Sequence, residues 1–72
     1  MVAMSDEYGW LIELGSSPPM WFTGRPDDDF TADSYDAVRF SRQQDAERAI
    51  YYFIEPRTAR GCKAVQHGFF SR

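Results

Sequence analysis

Seventy-two residues, 43% hydrophobic and 26% charged, have room for one core and no second domain, and lie far from the composition that keeps chains disordered. The lone Cys62 excludes an internal disulfide. The opening Met-Val-Ala-Met-Ser-Asp-Glu lacks the basic and apolar regions of a signal peptide, and the apolar stretch Ala49 to Ile54 is far short of the ~20 residues a spanning helix needs, so a cytoplasmic protein with no membrane partner is expected.

Tyr8 to Leu14 is rich in residues that suit a pleated surface and is read as a first strand. Gly15-Ser16-Ser17-Pro18-Pro19 is a turn, and Met20 to Gly24 returns as the second arm of a hairpin. Pairing Leu14 with Met20 puts Trp10, Ile12, Leu14, Met20 and Phe22 on one buried side, and Leu11, Glu13, Trp21 and Thr23 on the other. Arg25 to Asp29 then leaves as a polar loop anchored by Phe30, and Asp33 caps a short helical turn running to Val38.

Ser41 and Gln44 have capping-box spacing, which starts the main helix at Arg42. Ala46, Ala49, Ile50, Phe53 and Ile54 form its apolar stripe, with Trp10 and Phe53 as large core side chains whose truncation should unfold the chain. Glu55-Pro56 ends the helix, Arg57 to Gly61 is a basic loop, and Cys62 to Phe69 is the last strand, with Val65 and one of its neighbours inward. The expected fold is α+β: a small antiparallel sheet of three strands, with a short fourth near Val38 to Phe40, covered on one face by one helix, in the order β-β-(short helical turn)-α-β over about residues 8–69.

No constellation of residues points to catalysis, and no cofactor or metal is expected. Asp27, Asp28, Asp29 and Asp33 lack the glycine and glutamate spacing of a calcium loop. Cys62 and His67, five apart on one strand, point to opposite faces and cannot form a nucleophile–base pair.

Charge is more informative: residues 1–36 carry Arg25 against eight acids, whereas residues 37–72 hold the other seven basic side chains against Asp45, Glu47 and Glu55. Arg57, Arg60, Lys63 and Arg42, with Tyr51 and Tyr52 as stacking platforms, are the candidates for contact with single-stranded nucleic acid. The alternative pairs these arginines with the chain's own acidic half. Trp21, Phe69 and Phe70 are the candidate apolar contacts for a protein partner or a second copy of the chain, the alternative being that Trp21 packs under its own C-terminal tail.

The run Trp10-Leu11-Ile12-Glu13, then Trp21-Phe22, Phe30 to Asp33, Ala37 to Phe40, Asp45-Ala46-Glu47 and Ala64 to His67 resembles small phage- and prophage-encoded bacterial proteins that have no assigned activity. The resemblance covers about Trp10 to His67 and implies a bacterial, mobile-element context and an accessory role. Gln66 stands where those proteins commonly carry an acid, which disfavours a carboxylate acting with His67. The expected function is a non-enzymatic protein-interaction module able to self-associate; the alternative is a weak nucleic-acid binder using the basic C-terminal half.

Overall fold

The computed structural model describes residues 7–69. β1 (Glu7–Leu14) and β2 (Met20–Arg25) form the hairpin in the expected register, Leu14 opposite Met20 and Glu13 opposite Trp21. The turn is held by Ser16, whose amide donates to the Leu14 carbonyl at 2.8 Å and whose hydroxyl donates to the Pro18 carbonyl at 2.8 Å. With β3 (Asp28–Thr31) and β4 (Cys62–Phe69) the strands make one antiparallel sheet in the order β3-β2-β1-β4.

The fold class is the expected one, but the fourth strand is elsewhere in the sequence. The supposed polar loop after Arg25 is a tight return into β3, made possible by Gly24 at φ 77°, a left-handed conformation that a side chain would disfavour. Thr23 closes the irregularity: its buried hydroxyl donates to the Asp28 carbonyl and accepts from the Arg25 amide at 3.0 Å.

Val38 to Phe40 forms no full strand. It lies across the gap where β1 and β2 diverge, Phe40 and Trp10 exchanging backbone bonds at 2.8 and 2.9 Å while the Val38 amide donates to the Phe22 carbonyl at 3.1 Å. Asp33 does cap the turn before it, accepting from the Tyr35 amide at 3.0 Å, but that 3-10 turn covers only Ser34–Asp36. Arg25 ties the turn to β2 through a two-pronged bond to Asp36 at 3.0 and 2.8 Å and a third bond to Asp28 at 2.8 Å.

α1 (Gln43–Phe53) starts one residue later than the capping-box spacing suggests, and no side chain caps it. Phe40 is held to Trp10, so the chain is still extended at Arg42, whose carbonyl accepts from the Asp45 and Ala46 amides. The Arg42 guanidinium turns back onto the Asp45 carboxylate at 3.1 and 3.2 Å. Ala46 and Ala49, both buried, let the helix sit close against Ile12, Phe22 and Ile54, with Trp10, Phe30, Phe40, Ile50 and Ala64 packed around them.

Phe53 corrects the expected stripe. The ring is 75% exposed, because α1 ends there and the side chain projects past the small sheet beneath. The Arg57 to Gly61 loop is also corrected: Glu55 and Pro56 end one helix and begin another, α2 (Pro56–Ala59). Proline suits the first helical position, where no amide bond is needed, and the Glu55 carboxylate accepts from the Arg57 amide, the Thr58 amide and the Thr58 hydroxyl at 3.0, 3.3 and 2.8 Å.

The face away from the helices has its own small core. Leu11, read as part of a mixed surface, is fully buried there with Ala37 and Phe69, and Trp21 packs against them. Val65, opposite Leu11, is half-buried on this face, whereas Ala64 and Cys62 face the helices. Of the two residues expected inward, the neighbour Ala64 faces the helix and Val65 does not. The 34–39 segment covers this second face: Tyr35 meets Phe69 edge-on at 4.9 Å, and the Arg39 guanidinium lies 3.6 Å from the Phe69 ring centre.

Candidate interaction surface

A helical residue advances about 100° around the axis, so three consecutive aromatics on one helix cannot all face a core. Tyr51, Tyr52 and Phe53 at the end of α1 are 79%, 72% and 75% exposed. The two tyrosine rings meet edge-to-face at 5.1 Å. On one side, Phe53 overhangs a groove of ≈ 410 Å³ floored by Phe22, Val38 and Phe40 and bordered by Arg25, Pro26 and Asp29 of the β2–β3 return. On the other, Tyr51, Ile50 and Ile54 meet Pro56, Ala59 and Arg60 around a second groove of ≈ 280 Å³.

Arginines flank the aromatic ridge. Arg48 lies three residues before Tyr51 and four before Tyr52, the spacing of neighbours on a helix surface, while Arg57 and Arg60 are related the same way on α2 and its C-terminal cap. All three are exposed, and among the described residues none has an acidic partner. Glu55 is engaged in capping α2, and the Thr58 hydroxyl, with the Arg57 and Thr58 amides, holds its carboxyl below the usual range.

The structure divides the four basic candidates. Arg57 and Arg60 lie together, but Arg42 is at the opposite end of α1, a helix about 16 Å long, and is paired with Asp45. Lys63 stands opposite Glu13 on the other face of the sheet. Asp28 and Asp36 pair with Arg25 of their own half, and the bonds to Asp36 and Asp28 push the arginine pKa up.

The apolar candidates separate as well. Phe69 is 4% exposed, covered by the chain's own residues, and Trp21 is half-buried with its ring against His67 at 5.5 Å. Trp21 thus packs against Leu11, Ala37 and Phe69 on the chain's own second face. Phe70 lies outside the described residues. Cys62 and His67 do occupy opposite faces, the thiol donating to the Thr58 carbonyl at 3.4 Å with its pKa raised by burial. Among the described residues no group of three His, Cys, Asp or Glu side chains is placed to hold a metal ion.

The aromatic ridge was half legible in the sequence. Tyr51 and Tyr52 carry a surface role there, but the 3.6-residue stripe assigned Phe53 to the core; that the stripe outruns the sheet depends on strand lengths, which the helix sequence does not encode. The fold and this surface define a small α+β protein with an aromatic and cationic helical face. No family model, curated protein or solved structure matches the chain.

Proposed function

We propose that this chain is a non-enzymatic protein-interaction module whose docking face is the α1–α2 ridge. The observation that carries this reading is the exposure of Tyr51, Tyr52 and Phe53 together. A large aromatic removes on the order of 150–250 Å² from water when buried, and the chain leaves three side by side uncovered beside two apolar grooves. Tyrosine and arginine are also the residue types that dominate interface energetics. Arg48, Arg57 and Arg60 select for charge: the partner offers an apolar anchor for a groove and acidic side chains for the rim. The phage-like motifs are in keeping with an accessory role of this kind.

The test is a titration of isotope-labelled protein with short peptides carrying one Leu or Trp among Asp and Glu, read by amide shifts. Shifts confined to residues 48–60, lost in Tyr51→Ala and Phe53→Ala, are expected. A spectrum unmoved by acidic and apolar peptides alike would overturn the reading.

The adjoining Tyr51 and Tyr52 rings beside arginines favour one second reading, single-stranded nucleic acid stacked on the tyrosines. It is disfavoured by the net charge of −3 and by the separation of Arg42 and Lys63 from Arg57 and Arg60, which leaves no continuous cationic track for a backbone. Mixed oligonucleotides that shift the same amides, with affinity falling steeply as salt rises, would replace the protein partner with nucleic acid.

A further inference from the structure

The two edges of the sheet are built differently. β3 is a short edge strand of four residues that begins with Asp28 and Asp29, the charged, abbreviated form that discourages pairing with another chain. β4 is the opposite edge, eight residues long and about 24 Å from end to end. It has no proline, and Lys63, near one end, is its one residue with a full charge. Among the described residues Lys63 is the one blunting device on it, and the strand's register with β1 runs without a bulge.

The register fixes which backbone groups this edge presents. Trp10 directs its amide and carbonyl to Phe40, away from β4, so by the alternation of an antiparallel ladder the odd-numbered residues of β1 bond to β4. Their partners are Lys63, Val65, His67 and Phe69. Ala64, Gln66 and Gly68 therefore turn their amides and carbonyls outward, and among the described residues no other group bonds to them.

We infer that β4 is a self-association edge, pairing antiparallel with β4 of a second copy about a two-fold axis at Gln66, so that two sheets join into one. The strand is complementary to itself in that register. Gln66 meets Gln66 of the second copy, and Ala64 meets Gly68, so the outward amides and carbonyls of Ala64, Gln66 and Gly68 all find partners. The side chains allow it: Gly68 offers no bulk, Gln66 is exposed and uncharged, and Lys63 lies away from the axis, where the register sets it against position 69 and not against another lysine. A second copy is favoured because the register about Gln66 sets the small Ala64 against Gly68 and keeps the two Lys63 side chains apart. α1 packs over β4 and β1 and α2 against β4, so this pairing brings the helices of the two copies onto the same face of the joined sheet.

Sedimentation equilibrium across micromolar to millimolar concentrations, with amide hydrogen exchange at both ends of that range, tests the inference. A dimer in which Ala64, Gln66 and Gly68 become protected only at high concentration is expected. Gln66→Pro removes the donors at the axis without touching the β1–β4 ladder, because that amide points outward, and should weaken the dimer about tenfold or more. Gln66→Lys, which sets like charges opposite each other, gives the same answer should the proline variant fold poorly. A chain that stays monomeric at millimolar concentration overturns the inference, as does a dimer whose Ala64, Gln66 and Gly68 amides exchange at the monomer rate.

Discussion

Leu11 and Phe53 have exchanged the roles that their sequence positions suggest, and the difference has a measurable size. Leu11 alternates with the inward residues of β1 and so was expected on a mixed surface, yet it is fully buried because Ala37, Phe69 and Trp21 close over it. Phe53 continues the helical stripe but stands in solvent. Leu11→Ala should cost about 2–5 kcal/mol, the range for truncating a buried aliphatic side chain. Phe53→Ala should stay within about 0.5 kcal/mol, as surface substitutions do. Urea denaturation of both variants checks the pair, and a larger loss for Phe53→Ala would place its ring in the core after all.

At the scale of elements, the short α2 depends on one carboxylate. Glu55 bonds two backbone amides and a hydroxyl at its start, and four residues form too little helix to persist unaided. Glu55→Ala should speed amide exchange at Arg57 and Thr58 while leaving residues 43–53 protected. The folded Glu55 carboxyl has a lowered pKa through Thr58 and Arg57, and Asp36 likewise through the Arg25 guanidinium. Groups of this kind stabilise the fold above their unfolded pKa and cease to do so as pH falls through the folded value. Stability should be level near neutrality and decline below about pH 4, and the Glu55→Ala, Asp36→Asn double variant should lose part of that decline. An acid-unfolding curve unchanged by the double substitution would show that other carboxylates govern it.

The whole molecule shows why local patterns gave the hairpin, the last strand and most of α1 but missed β3 and the second face. Alternation in β1 and β2 and the 3.6-residue stripe are contained in short windows of sequence, and these elements stand where expected. β3 reads as loop because Asp28 and Asp29 are poor strand formers; it forms because Gly24 and Thr23 turn the chain back and Phe30 packs edge-on against Phe22 at 5.8 Å. The cover over Leu11 depends on contacts between residues far apart in the chain, Ala37, Phe69 and Trp21 against Leu11 with Arg39 laid on the Phe69 ring. Gly9 is the narrow point of that arrangement, since a Cβ there would lie 3.3 Å from the Arg39 Cβ. Gly9→Val should therefore displace Arg39 and loosen the 34–39 segment, costing about 1–3 kcal/mol as overpacking does. Because Trp21 lies under the same cover, its fluorescence should shift to the red in the folded variant, whereas unchanged emission and unchanged stability would mean that Arg39 moves aside freely and that Leu11 is kept dry by Ala37 and Phe69 alone.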